Sequence, residues 1–278
     1  EGFLDSIDIP VGAREAILAR VEISCASTAD RVAAADLTGV AHIDDEPAPS
    51  IAGGNQRLPL ALAAELGAAV HLDDAVTSIR WDESVRVSSR SGEVEADVCV
   101  VAVPAGVLDR IAFEPALPEP VRRALKLVEY GHAAKLFVPL RVPAPPSAVM
   151  NVSDRYWAWT ATGDGDEPQP VVSAFAGSAP ALQRLDVDAG PSRWLDSLER
   201  LRGDLELDPN GAVLSTWDDD PWVRAAYSTT PPPEVEAATQ SLSGPLAFAG
   251  EHTAGDHHGL MEGAIRSGRR AARSLVRE

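Results

Sequence analysis

This sequence has few cysteines, few cationic residues and no long apolar run, and each shortage excludes a class of protein. Its 278 residues include two cysteines, Cys25 and Cys99, which exclude a disulfide framework and a Cys-x-x-Cys site. Lysine and arginine number 24 against 42 acidic residues, giving a net charge of −18. Such a surface repels nucleic-acid phosphates. An acidic surface of this kind is typical of a soluble protein. The alternative is that the negative charge recruits a cationic partner.

Membrane insertion and secretion are not expected either. The longest apolar run, residues 98–108, is far shorter than the roughly 20 residues that a spanning helix needs. The chain opens Glu1-Gly2-Phe3, with no methionine and no basic-then-apolar signal, which is compatible with a processed or truncated start. These features predict a cytoplasmic protein that binds neither nucleic acid nor membrane.

The hydrophobic pattern predicts a mixed α/β fold. Helical periodicity covers residues 11–39, 56–66, 119–129, 192–206 and 260–276. Strands are expected at residues 85–90, 93–103, 133–140, 157–160, 171–175, 212–217 and 245–250, with two more within 69–80. Ser91-Gly92 predicts a hairpin turn, and residues 228–233 predict an extended crossing.

One predicted strand is apolar on both faces. Residues 97–103 therefore predict a strand buried at the centre of a covered sheet, ending at Pro104-Ala105-Gly106. Ligands in open α/β sheets bind beyond the carboxyl ends of strands, so this turn is a candidate ligand wall. An ordinary strand-to-helix turn is the alternative.

Five motifs follow one another along the chain. They are Gly53-Gly54 before a helix, Pro104 to Leu108 after a strand, Lys135 in an apolar strand, Trp222 to Tyr227, and Phe248 to Thr253 with Gly259 to Ala264. In this order they resemble the C-terminal part of the flavin-containing amine oxidase family, over about residues 51–278. That family includes monoamine, polyamine and L-amino-acid oxidases and flavin-dependent histone demethylases. The last motif is the most specific of the five.

The resemblance implies a non-covalent FAD site. The implied cofactor-binding residues are Val76, Pro104, Trp222, Gly250, Glu251, Gly259, Leu260 and Met261. Lys135 is implied as a catalytic residue that holds a water against flavin N5, and Tyr227 as a catalytic residue and substrate wall that faces Leu260. The alternatives are an edge-strand lysine reaching solvent, a hydrogen-bonded core tyrosine, and a Met261 that packs in the core.

The helix expected to begin near Leu260 gives a physical reason for this site. Its first N–H groups have no partner within the helix, and its dipole is positive at that end. Reduced flavin is anionic, so a helix N-terminus there would stabilise it. Gly259 and Gly263 permit close approach to a flat ring. No metal site is expected, because His257 and His258 cannot easily face one ion.

The sequence also departs from the family pattern. No GxGxxG occurs, so we expect a Rossmann-like FAD-binding domain that lacks its N-terminal βαβ unit, interleaved with a mixed-sheet substrate domain. The FAD-binding part is expected at residues 51–125 and 219–278, and the substrate part at 1–50 and 126–218. A GxGxxG-bearing N-terminal polypeptide or subunit is the expected partner. Ala226 stands where some monoamine oxidases carry a flavin-linked cysteine, and Leu260 replaces an aromatic wall.

The implied function is oxidation of an amine, with hydride transfer to flavin N5, imine hydrolysis and release of H2O2. The acidic stretch Asp44-Asp45-Glu46 favours a cationic amine over an amino acid, unless it is merely a solvated loop. Two other functions stay open: an oxidase or desaturase of a non-amine substrate, and a non-catalytic scaffold without cofactor. Yellow colour on purification separates an oxidase from a scaffold.

Overall fold

The computed structural model describes residues 2–34, 37, 51–163 and 167–275, and it confirms the mixed α/β architecture. Its helices are α1 (Gly2–Asp5), α2 (Val11–Cys25), α3 (Arg57–Leu66), α4 (Glu119–Lys126), α5 (Ala179–Arg184), α6 (Ser192–Leu201), α7 (Pro233–Gln240) and α8 (Met261–Leu275). Its strands are β1 (Val76–Trp81), β2 (Val85–Ser89), β3 (Glu93–Ala96), β4 (Cys99–Val101), β5 (Ala112–Glu114), β6 (Glu129–Tyr130), β7 (Ala133–Pro139), β8 (Ser147–Asn151), β9 (Tyr156–Thr162), β10 (Pro168–Gly177), β11 (Val213–Thr216), β12 (Ser228–Thr229) and β13 (Leu246–Phe248). No helix in these ranges is long and apolar enough to cross a membrane.

The largest sheet has five antiparallel strands in the order β11-β7-β10-β9-β8. Alternation along β7 gives this sheet two different faces. Leu136 and Val138 point into a core that includes Tyr156 and Trp194, whose rings meet edge to face. Lys135, between the buried positions, lies on the opposite and open face. One face of the sheet therefore packs in the hydrophobic core, and the other face is open to a ligand or to solvent.

A second sheet contains the predicted hairpin. Its four strands have the order β3-β2-β1-β5, and β2 and β3 pair antiparallel around Ser91-Gly92 as expected. Only one of the two strands expected within 69–80 forms. Asp73 adopts a positive φ of 57°, and the Asp74 carboxylate accepts hydrogen bonds from the Ser91 amide at 3.0 Å and the Ser89 hydroxyl at 2.9 Å. This local side-chain bonding favours a turn over a strand.

The strand that looked buried on both faces is exposed on one side. β4 pairs in parallel with β13, its one partner among the described strands. Val98 and Val100 are 40% and 39% exposed, so the prediction of central burial is wrong for the described residues. The sequence pattern shows which side chains are apolar, but it does not show which strands lie beside β4 or what covers its two faces.

One helix is much shorter than predicted, and another was not predicted. α2 stops at Cys25 rather than continuing to 39, because Ala26 takes a left-handed conformation with φ 53° and ends the helix. α7 was missed, since residues 231–233 are three prolines. Proline is tolerated in the first turn of a helix, and Pro233 is the first residue of α7.

The end of α2 is packed tightly between two glycines. A Cβ on Gly177 would collide with the Ile23 carbonyl and lie 2.8 Å from the Glu22 carbonyl oxygen. A Cβ on Gly131 would lie 2.6 Å from the Ala26 Cβ. Glycine at both positions therefore lets α2 reach β10 and the start of β7 at backbone distance.

We predict that Gly177→Ala lowers the free energy of unfolding by about 1–3 kcal/mol, because the added methyl displaces the backbone of α2. Gly203→Ala is the matched control, since its Cβ would make an ordinary 3.7 Å contact with the Glu199 oxygen. Urea denaturation followed by tryptophan fluorescence measures both variants. Equal stability of the two variants would contradict the tight packing of α2.

Candidate functional site

Two candidate segments meet at one edge of the β4–β13 pair. The strands run parallel, with Val101 opposite Phe248, so their carboxyl ends lie side by side. The Ala249 amide extends the pairing by donating to the Val101 carbonyl at 3.0 Å. Pro104 and Gly250 follow directly, and the structure thus brings these two predicted residues to the same edge, where α/β folds bind ligands.

The Glu251 carboxylate ties this edge to two other segments. It accepts hydrogen bonds from the Ser228 amide, at 3.0 Å, and from the Ser228 hydroxyl. It also accepts one from the Gly259 amide, immediately before Leu260 and α8. Both carboxylate oxygens are therefore engaged within the protein, and Glu251 acts here as a positioning residue. A direct contact of Glu251 with the cofactor stays a prediction.

Tyr130 connects the Pro104 turn to the same network, and sequence reasoning missed it. Its hydroxyl accepts a hydrogen bond from the Ala105 amide at 2.8 Å, and burial raises the pKa of this phenol. Tyr130 lies opposite Ser228 in the short pairing of β6 with β12. Ser228 was missed as well, although it directly follows the predicted Tyr227, and that adjacency was the available signal.

Tyr227 is half-buried, and a hydrogen bond from its hydroxyl fixes the position of its ring. Its hydroxyl donates to the Ser24 carbonyl of α2 at 2.7 Å, and burial raises the pKa of the phenol. A Cβ on Gly259 would lie 3.3 Å from the Tyr227 ring, and Gly259 has a φ of +70°. The ring is thus hydrogen-bonded as in the core alternative, and it also abuts the turn that precedes Leu260. Its role as a substrate wall stays a prediction.

The start of α8 is held close to the preceding turn. A Cβ on Gly263 would collide with the His257 carbonyl oxygen, so this glycine is required by packing. Leu260 and Met261 face outward and are 55% and 43% exposed. Core packing of Met261 is therefore wrong for the described residues. Two apolar side chains instead flank a helix N-terminus whose first N–H groups have no partner within the helix.

α8 also fixes the end of β13 through polar side chains. The Arg270 guanidinium donates to the Thr253 carbonyl at 2.8 Å, and the Ser267 hydroxyl accepts from the Gly250 amide at 3.0 Å. Burial lowers the pKa of the Arg270 guanidinium and of the His252 imidazole. His252 is buried against Tyr130 at 6.3 Å between ring centroids, which favours its neutral form.

Two of the remaining predicted residues, Trp222 and Val76, lie outside the network around Glu251. Trp222 is 56% exposed, with the Arg110 guanidinium 5.2 Å from its ring centroid, just beyond the Pro104 turn. Val76 begins β1 in the four-stranded sheet and packs against the cluster around Ile79. The structure therefore keeps Trp222 near the site and places Val76 in a separate sheet.

Lys135 lies on the open face of the five-stranded sheet. β7 is an interior strand of this sheet, so the edge position in the alternative is wrong, whereas the lysine side chain is exposed as that alternative expects. The Lys135 ammonium lies 6.0 Å from the centroid of the Phe175 ring. Gly131, whose amide donates to the Tyr227 carbonyl at 2.8 Å, is four residues away, a reach of at most about 14 Å along an extended strand.

These features fit the ring end of a flavin. A helix N-terminus with exposed apolar neighbours and an adjacent tyrosine offers hydrogen-bond donors and a flat surface to a planar group that becomes anionic. The residues present would contact the ring end, whereas the pyrophosphate cradle expected from GxGxxG is absent from the sequence. Within the described ranges no group of three His, Cys, Asp or Glu residues could hold a metal ion.

Comparisons with known proteins point the same way. A profile of the family described as flavin containing amine oxidoreductase matches residues 17–276. An L-amino acid dehydrogenase from Synechocystis sp. is 26% identical over 260 residues, which cover 81% of this chain and 50% of that protein. Wild-type putrescine oxidase bound to putrescine has a TM-score of 0.80 at 21% identity, covering 99% of this chain and 67% of that one. Cyclohexylamine oxidase from Brevibacterium oxydans has a TM-score of 0.78 at 20% identity, covering 99% and 66%.

Two limits follow from these figures. The chain spans about half the length of the curated relatives it matches. The likeness to the two solved structures concerns the fold, because both identities are low.

We predict that Glu251→Gln increases hydrogen exchange at the Gly259 amide about tenfold or more, because a charge-assisted bond is lost. Glu262→Gln is the control, since Glu262 pairs only with Arg266 on the exposed face of α8 among the contacts described for it. Exchange measured by mass spectrometry on peptides spanning 255–262 compares the variants. Unchanged protection in Glu251→Gln would remove Glu251 from its positioning role.

Proposed function

We propose a function on the premise that this chain belongs to the flavin containing amine oxidoreductase family, whose profile matches residues 17–276. The proposed function is FAD-dependent oxidation of an amine. The observation that carries it is the Glu251 network, which sets the N-terminus of α8 beside Tyr227. Because the matched relatives are named for an L-amino acid, putrescine and cyclohexylamine, an amino group is the shared substrate feature.

The chain's own residues orient and shield the reacting groups. The N–H groups at the start of α8 would bind the pyrimidine edge of the flavin, with Leu260 and Met261 against the ring. Tyr227 would present its face to the substrate, and its raised pKa keeps the phenol neutral at ordinary pH. FAD held there would supply a two-electron acceptor for the hydride of the amine, with O2 as the final oxidant reduced to H2O2 and water hydrolysing the imine product. The amine must be neutral to release hydride, so activity should rise with pH.

The two parts of the fold would divide this work. We assign residues 51–125 and 219–278 to FAD binding, and residues 1–50 and 126–218 to substrate binding. Two separate hydrophobic clusters support the division, since one is built from residues between Ile79 and Leu125 with Leu246 and Phe248. The other is built from residues between Ala134 and Leu198. Tyr227 would lie where the two parts meet, because its hydroxyl bonds to Ser24.

Lys135 is the proposed holder of a water near flavin N5. We predict that Lys135→Met slows flavin reduction or reoxidation on the order of 100-fold and leaves folding intact, because an exposed lysine contributes little to stability. The sequence has one other lysine, Lys126 at the end of α4, so Lys126→Met is a control with the same substitution. Stopped-flow absorbance measures both half-reactions. Equal rates in the two variants would contradict the role of Lys135 near the flavin and would favour a lysine that only faces solvent.

A glycine-rich βαβ segment, in the same or another polypeptide, is the proposed neighbour of β4. Support comes from β4 itself, which pairs with β13 alone among the described strands, and from the exposed side chains of Val98, just before β4, and Val100, within it. A parallel strand there would complete hydrogen bonds that an edge strand leaves unmade. Such a segment would also bring the pyrophosphate-binding glycines to the carboxyl edge beside Pro104 and Gly250.

We predict that Val100→Asp lowers the FAD content of the purified protein severalfold, because it places a charge in an apolar sheet contact. Val94→Asp is the control, since Val94 is 62% exposed on β3, an edge strand of the other sheet. Flavin absorbance per mole of protein and native mass spectrometry report the outcome. Full FAD content in Val100→Asp would contradict pairing along β4.

A further inference from the structure

Residues 218–227 form a loop whose two ends meet on one dipeptide. At the start of the loop, the Asp218 carboxylate lies 2.9 Å from Nδ1 of His132. At its end, the Gly131 amide donates a hydrogen bond to the Tyr227 carbonyl at 2.8 Å. A segment that leaves one point and returns to it has the form of an Ω-loop. The pair Gly131-His132 therefore holds both ends of the segment that carries Tyr227.

His132 is suited to anchor this loop because its own backbone is fixed. Its amide donates to the Ala26 carbonyl at 2.8 Å, and its carbonyl accepts from the Ser178 amide at 2.8 Å. His132 also directly precedes β7, the strand that carries Lys135. The imidazole is thus attached to the residues that follow α2 and β10 and to the large sheet, and it offers a fixed point to Asp218.

The bond between the two side chains is charge-assisted. A carboxylate only accepts hydrogen bonds, so Nδ1 of His132 carries the proton that it donates to Oδ2 of Asp218. The other carboxylate oxygen of Asp218, Oδ1, is buried and has no hydrogen-bond partner within the described ranges. A buried polar group without a partner costs free energy. Loss of the imidazole would therefore favour a movement of Asp218, and of the start of the loop, toward water.

The middle of the 218–227 loop reaches the other part of the fold. The Arg224 guanidinium donates to the Gly106 carbonyl at 3.2 Å and lies 3.4 Å from the Asp109 carboxylate, both in the turn that follows Pro104. The backbone of Arg224 has a positive φ of 63°. Such a φ is costly for a residue that carries a Cβ, so the conformation of this loop depends on the contacts that hold it.

We propose that His132 and Asp218 are positioning residues, whose bond closes the 218–227 loop and thereby orients Tyr227 toward the substrate. This inference rests on the proposed amine oxidation and adds to it a pair of residues that act through Tyr227. When the pair is intact, the loop is held at both ends. When the pair is broken, the start of the loop loses its side-chain anchor, and the backbone of Tyr227 depends on its bond to Gly131.

Limited trypsinolysis of the full chain tests the closure of the loop without any substrate. Cleavage after Arg224 requires the loop to open, and its rate follows the population of the open form. We expect Asp218→Ala to be cleaved there about tenfold faster than the wild type, because a hydrogen bond to a charged group is lost. Asp219→Ala is the matched control, since Asp219 is exposed and its side chain makes no hydrogen bond or ion pair within the described part of the chain. Cleavage after Arg193, which is exposed at the start of α6, reports global unfolding.

Replacements of His132 separate this bond from a general loss of packing. The amide nitrogen of asparagine reaches about the same place as Nδ1, so His132→Asn should keep cleavage after Arg224 near the wild-type rate, whereas His132→Ala should match Asp218→Ala. If Asp218→Ala does not fold, His132→Ala replaces it, because the imidazole is 45% exposed and little packing is lost. Equal cleavage in Asp218→Ala and Asp219→Ala, or an equal rise after Arg193, overturns the proposal.

Oxidation of 2-phenylethylamine by the FAD-loaded protein tests the orientation of Tyr227. One simple amine is used, since the choice between a cationic amine and an amino acid was drawn from Asp44-Asp45-Glu46, a stretch that lies outside the described residues. We expect Asp218→Ala to lower kcat about tenfold and to change KM less than about threefold, because the variant loses orientation rather than uniform binding. His132→Asn should keep kcat near the wild-type value.

The two measurements separate this inference from the proposed function. A loop that opens in Asp218→Ala while kcat is unchanged would make the pair structural only and would overturn its positioning role. If the wild type oxidises no amine, the proposed function fails, and the cleavage rates after Arg224 still decide whether the pair closes the loop.

Discussion

The bonds made by one carboxylate hold the candidate site together. Glu251 follows β13, yet its oxygens bind Ser228 in β12 and the Gly259 amide before α8. Hydrogen bonds to charged groups contribute about 1.5–3 kcal/mol each, so this residue fixes segments that belong to three different elements of the fold. Through β12 the constraint reaches Tyr130, and through Tyr130 it reaches the turn after β4.

The same site depends on a helix from the other end of the chain. α2 reaches Tyr227 with the Ser24 carbonyl because glycines at 131 and 177 leave no side chain between the backbones. That approach also carries Arg20 onto the open face of the large sheet. A close backbone contact thus sets the distance between Tyr227 and the large sheet, so a larger residue at either glycine would displace the Ser24 carbonyl that Tyr227 binds.

Turn residues and hydrophobic periodicity in the sequence predicted the elements that are determined by interactions between residues close together in the chain. The Ser91-Gly92 hairpin and the helix after Leu260 formed as expected because turn residues and periodicity act over a few positions. Three features could not be predicted in this way. The exposure of Val100 depends on which strands are neighbours, the end of α2 depends on the left-handed conformation of Ala26, and Tyr130 bonds to Ala105, 25 residues away. The resemblance identified Pro104, Gly250, Glu251 and Gly259, which the fold gathers, but it gave no reason to select Tyr130 or Ser228.

In the proposed function this chain forms one side of a flavin site, with Ala226 next to Tyr227 and no thiol in the Trp222–Tyr227 motif to bond the ring. The most direct measurement is the flavin absorbance, before and after acid precipitation, of the protein purified together with the glycine-rich segment proposed beside β4. The account predicts yellow protein whose flavin passes entirely into the supernatant, with the mass of FAD. Colourless protein that takes up no added FAD, or colour retained in the pellet, would contradict it.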